Sequence, residues 1–231
     1  HRDLHSFPTR RSSDLARASA GWNLPDEVVD ELVLRADGLP LHIDAVLALL
    51  HNLERARPGR TLGIGDLAGE LPQVVTQLLD VLSKDEADAF RAACVLPSFD
   101  LDLAAAVAQV SGGAVERATR YALVDDNGEG SIYPSRVHDE IRRLVRLDRK
   151  SVGYWTESDW RRAAERGMTE AVRRVREGHE QGSDAAQIEA IALALRLGYE
   201  WGIYTPGLAK LVNDGPSIGA VSRLLPAPGR D

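Results

Sequence analysis

The chain has one cysteine, Cys94, one methionine, Met168, and aromatic residues at only 5% of its positions. A lone cysteine excludes an internal disulfide and fits a reducing cytoplasm. Lysine is nearly missing: among 28 basic residues it stands only at 84, 150 and 210. With abundant Ala, Gly, Leu and Val, that bias toward arginine suggests a GC-rich bacterial genome. An excess of positive charge is also lacking, since the net charge is −7. Proteins that bind nucleic acid or membrane surfaces without other help need a basic field, so both functions are disfavoured. No apolar run approaches the length of a membrane span. The length allows one large or two small domains.

Residues 1–15, HRDLHSFPTRRSSDL, are set aside. They resemble a translated sequencing-library adapter, and they lack the apolar centre of a signal peptide. A genuine polar tail is the alternative. The protein proper is expected to start near Ala16 with its own N-terminus missing, which agrees with Met168 being the sole methionine. The tail holds Arg2, Arg10 and Arg11 against Asp3 and Asp14, so the remainder is one unit more acidic.

The pattern beyond it is mainly α. Leu24-Pro25-Asp26-Glu27 reads as a helix start, with proline in the first turn and acids complementing the dipole. Gly38 ends that helix and Pro40 opens the next, whose apolar residues run from Ile43 to Leu53. Arg57-Pro58-Gly59 stops it. Leu71 to Leu82 is a third helix. Ser83-Lys84-Asp85-Glu86 is a capping box that starts a fourth. Asp100 is placed to cap a helix over Leu101 to Val110, stopped by Gly112-Gly113, and a short helix follows over Ala114 to Tyr121. Ala122-Leu123-Val124 and Ser131-Ile132-Tyr133 read as strands joined at Asp126-Asn127-Gly128. His138 to Leu147 is helical again. Further helices are expected over Glu157 to Glu177, Asp184 to Tyr199, Tyr204 to Asn213 and Ser217 to Leu225, with Ser183 as a cap. Arg142-Arg143, Arg161-Arg162 and Arg173-Arg174 read as solvated faces, since acids flank them.

Helices ahead of a hairpin describe a winged helix over 67–150. The expected organisation is a small helical domain at 16–66, that winged helix, and a helical region at 151–231. The last resembles the start of tetratricopeptide-like repeats, although the sequence shows no clean internal period.

Two short motifs then align with one family. Ala36-Asp37-Gly38-Leu39-Pro40-Leu41, followed by Ala48-Leu49-Leu50, resembles the GLPL region of STAND-class NTPases, which include the NB-ARC group. Val137-His138-Asp139 resembles their MHD motif, with valine in place of methionine. The resemblance covers about 22–150. It implies a chain that senses ATP or ADP, with Pro40 (beside Gly38 and Leu39) packed near the adenine and His138 reading the β-phosphate. Asp139 would cap or anchor that turn. Read without the family, the first motif is a plain glycine stop and proline start, and the second a helix capped by Asp139 with His138 partly exposed.

There is no G-x-x-x-x-G-K-[ST] sequence and no apolar strand ending in paired acids. The family order puts these parts, and magnesium, in a P-loop domain upstream. No catalysis is therefore expected from this chain. His42, His51, His138 and His179 show no metal-ligand spacing. The resemblance implies a nucleotide-regulated signalling ATPase whose partners are its P-loop domain, proteins bound by the helical region, and copies of itself. The other readings are a winged-helix transcription regulator and a plain helical scaffold. Against DNA binding, the candidate reading helix, Leu101 to Val110, has no Lys or Arg and carries Asp102.

Overall fold

The computed structural model describes residues 26–36, 40–56, 70–120, 123–126 and 131–203. The described part is mainly helical, with one short antiparallel hairpin. The expected adapter tail, the Leu24-Pro25 helix start, Gly38-Leu39, the Arg57-Pro58-Gly59 stop, the Asn127-Gly128 turn and both helices beyond 204 lie outside the described residues.

Two helices, α1 (Asp26–Ala36) and α2 (Pro40–Ala56), form the front of the molecule and pack together. Val28, Val29 and Leu32 of α1 and Ile43, Val46, Leu49 and Leu50 of α2 are fully buried, as their helical spacing requires. Helix α3 (Leu71–Val81) lies against α2 and buries Val74, Val75, Leu78 and Leu79.

Helix α4 (Lys84–Val95) starts at the expected capping box. The Ser83 hydroxyl accepts from the Glu86 N–H, and the Glu86 carboxylate accepts from the Ser83 N–H at 3.1 Å. The Glu86 side chain is 5% exposed and binds Arg55 of α2 and Arg117 of α6, each at 2.7 Å. Helix α5 (Leu101–Ala108) is capped by Asp100, as expected, whose carboxylate accepts from the Leu103 N–H at 2.7 Å. It ends two residues earlier than the pattern suggested. Gln109 turns the chain with a left-handed backbone at φ 61°. Gly112 and Gly113 do not stop α5. They form the first turn of α6 (Gly112–Ala118), because Ser111 caps that helix through the Ala114 N–H.

The strands are also shifted. They are β1 (Val124–Asp126) and β2 (Ser135–Val137), with Val124 opposite Val137 and Asp126 opposite Ser135. Phe99, between α4 and α5, adds an antiparallel bridge on the far side of β2: its N–H donates to the Ser135 carbonyl at 2.7 Å. This pairing sets the register. Ser131-Ile132-Tyr133 therefore leads into the strand instead of forming it. Tyr133 is buried beneath the Arg174 guanidinium, and Ile132 donates its N–H to Glu189.

Helix α7 (Asp139–Leu147) leaves β2 directly and packs on α3 and α4. Two long helices, α8 (Glu157–Glu180) and α9 (Asp184–Trp201), complete the fold as a tightly packed pair, with Thr156 and Ser183 as N-caps. Gly178 sits where they turn; a Cβ there would come within 3.0 Å of the Gln187 backbone. Trp160 of α8 stacks on Trp201 of α9 and meets Trp155 edge-on. Not every arginine pair is a solvated face. Arg143, Arg161 and Arg173 are exposed, but the Arg142 and Arg174 side chains are only 12% and 15% exposed because they pair with Glu200 and Asp100. Cys94 is fully buried, and burial pushes its thiol up to about 12, against the pull of Arg142 and Arg146. It stays a protonated, unreactive thiol.

Candidate functional site

The sequence leads to the start of α7. Val137 is buried and ends β2, and the next residue turns the chain into the helix. That residue, His138, is the N-cap. Its N–H donates to the Leu123 carbonyl at 3.1 Å, just ahead of β1, which fixes the turn against the hairpin. Its Nδ1 accepts from the Glu140 N–H at 3.3 Å. A ring nitrogen that accepts a hydrogen bond carries no proton, so the neutral ring holds its proton on Nε2. No described residue hydrogen-bonds Nε2. The turn thus presents one ring N–H beside the unpaired backbone donors of a helix N-terminus.

Asp139 does not cap this helix. The cap is His138 itself, and Asp139 is the first helical residue, with a side chain 79% exposed. It faces Arg142 at 3.5 Å, and Glu140 binds Arg143 at 2.6 Å. The bond to Arg143 holds the Glu140 carboxyl below its ordinary range. Each acid of the first turn is therefore matched by a cation three residues on, and the turn does not present a bare negative charge.

Pro40 begins α2; its side chain, and Gly38 and Leu39, lie outside the described residues. One turn further on, Asp44 is half-buried, and its carboxyl is raised by burial and by the charge of Asp125 in β1. The first turns of α2 therefore lie within electrostatic reach of the strand that follows Leu123, the residue holding His138.

The sequence did not mark Arg142, Arg146 or Glu200, which cluster on and around the same helix. Their partners are 47 to 58 residues away, beyond any local pattern. A cavity of about 520 Å³ opens between α3 and α7, lined by Pro72, Thr76, Leu144 and Leu147 and edged by Arg149 and Lys150. It lies along the C-terminal half of α7, away from His138. Among the described residues no group of three His, Cys, Asp or Glu is placed to hold a metal ion, and no helix is long and apolar enough to cross a membrane. No protein-family model, curated protein or solved structure matches the chain.

Proposed function

We propose that this chain is the distal half of a STAND-type nucleotide switch, in which the His138 turn reads bound ADP. The observation that carries the proposal is the state of His138. Its Nδ1 serves the Glu140 N–H, which leaves Nε2–H as a donor at a helix N-terminus. A β-phosphate is well served by such a donor beside unpaired backbone N–H groups and a favourable helix dipole. The pairing of Asp139 and Glu140 with arginines supports the same reading, since unpaired acids would repel an anion.

The order of elements supports a winged helix within 67–150. Helix α4, the extended Phe99, helices α5 and α6, and then the two strands follow one another, with Phe99 pairing to the return strand. The small helical domain would be 16–66. For 151–231 the reading is a helical partner-binding region. Its two described helices, of 24 and 18 residues, already exceed the ~34 residues of a tetratricopeptide unit. ATP or ADP, with magnesium, would be held chiefly by a P-loop domain joined to this chain. The protein would act in the cytoplasm through other proteins and through copies of itself.

A DNA-reading role is less well supported. In this order of elements the reading helix is the third, α6, and not Leu101 to Val110. Its Arg117 is bound to Glu86, and the segment leading into β2 is held by Glu189 of α9 at Ser131 and Ile132. A DNA reader needs that helix and hairpin free to reach the duplex.

The test separates capping from sensing. In a protein that joins this chain to its P-loop domain, His138→Ala is expected to speed release of a fluorescent ADP analogue about tenfold or more, the scale of a lost charge-assisted bond. His138→Asn retains an N-cap but not the Nε2 donor, so it should release ADP as fast. Release unchanged in both variants rejects the sensor.

A further inference from the structure

We propose that α7 couples the His138 turn to the C-terminal helix pair, through a latch in which Arg142 and Arg146 grip Glu200. The proposal rests on the sensor reading for the origin of the signal, while the latch is a property of side chains already described.

Arg142 and Arg146 stand four residues apart and so share one face of α7. Both reach across the end of α4. Arg142 donates to the Cys94 carbonyl at 3.2 Å and the Val95 carbonyl at 3.5 Å, and Arg146 donates to the same two at 2.8 and 3.4 Å. The last carbonyls of a helix have no partner within it, and here arginines from another helix supply them. The same guanidinium groups bind Glu200 of α9, at 3.1 Å from Arg142 and 2.5 Å from Arg146. Arg146 also lies over the Trp201 ring, 4.5 Å from its centre, and the Trp201 indole N–H points at the Val95 carbonyl at 3.4 Å. The side chains of Arg142, Arg146 and Glu200 are 12%, 24% and 28% exposed, so water screens these bonds poorly.

The other end of α7 is the sensor turn. Arg142 is tied back to it twice, by its N–H to the His138 carbonyl at 2.9 Å and by its guanidinium to Asp139 at 3.5 Å. A helix of nine residues is stiff over its length of roughly 14 Å. Moving the His138 turn therefore moves Arg142, and Arg142 moves α9 only while Glu200 holds it. The remaining polar ties of the C-terminal pair include Arg174 to Asp100, Glu189 to Ser131 and Arg166 to the Val107 carbonyl, and run elsewhere. Glu200 is thus the charged tie of α9 to α7, beside the Trp201 ring that Arg146 covers.

The experiment uses the 231-residue chain labelled with 5-fluorotryptophan, with the Trp201 signal assigned by Trp201→Phe. His138→Ala should shift the Trp201 fluorine resonance in the parent chain and leave it unmoved in a Glu200→Gln background. Glu200→Gln should by itself lower amide-exchange protection over 195–203 about tenfold, the scale of a hydrogen bond to a charged group, while α4 to α6 keep theirs. A Trp201 shift that is the same with and without Glu200, or no shift at all, overturns the coupling. The two proposals fail separately. ADP release indifferent to His138 with the Trp201 response intact removes the sensor and leaves the latch. The reverse result removes the latch alone.

Discussion

The front and rear of this molecule share one apolar core with its middle and differ in the polar bonds added to it. At the front, α1 packs on α2 and α2 meets α3 through Val, Leu and Ile side chains, and the described ion pair across the join is Arg55 with Glu86. Asp44 and Asp125 even oppose each other there. At the rear, α8 and α9 share the apolar core through Ala163, Met168 and Leu197 and add a set of directional bonds: Glu200 to two arginines, Arg174 to Asp100, Glu189 to Ser131, and Arg166 to the Val107 carbonyl. Apolar contact is non-directional and tolerates sliding, whereas hydrogen bonds fail within a few tenths of an ångström. A body that must let one end turn while the other follows the middle would be built this way.

The largest break should come at Glu86, which joins front to middle. Glu86→Ala should cost about 3 kcal/mol in urea unfolding, because it removes the capping box and both arginine bonds at once. Glu86→Gln keeps the box and should cost less. Burial pushes the Glu86 carboxyl up, but its bonds to Arg117 and Ser83 and the charge of Arg55 outweigh this, and the net shift is downward from 4.5. A lowered acid stabilises the fold above its ordinary value. The advantage of the parent over Glu86→Gln should therefore fade as pH falls below 4.5 and through the lower folded value.

The corresponding rear break is smaller. Asp100→Ala removes the α5 cap and the partner of Arg174, and should cost about 1.5 kcal/mol. A loss at Asp100 equal to or larger than that at Glu86 would overturn this ranking. The smallest effect has the opposite sign. Asp44→Asn relieves the repulsion by Asp125 and should stabilise the chain by about 0.5 kcal/mol at neutral pH, since the site is half exposed. The Asp44 carboxyl is raised by burial first and by Asp125 second, so its penalty appears as pH rises through the folded value. The gain from asparagine should vanish in acid below 3.8.

What could be read from sequence divides along the same line. Helix starts were legible because their chemistry is local: Ser83 with Glu86, and Asp100 with Leu103, lie within one turn. The strands were misplaced because Ser131-Ile132-Tyr133 has the better strand composition, while β1 contains two aspartates. The bridge from Phe99 to Ser135 decided the register, and no local pattern announces a pairing over that distance. His138 was legible as a candidate, but its exchange of roles with Asp139 was not, because either residue can cap a helix. The buried roles of Arg142 and Arg174 depend on acids 58 and 74 residues away, so both looked like surface charge.

Gly167 stands inside α8, where glycine costs about 1 kcal/mol relative to alanine. A methyl there would come within 3.3 Å of both Leu96, just past α4, and Leu197 of α9. Three segments thus cross as closely as side chains on backbone allow, with no clearance for sideways travel. What remains open to α9 is rotation about that crossing, which makes Gly167 the fulcrum of the rear half: Glu200, three residues past Leu197, grips α9 close to it, and the long arm runs back to Asp184.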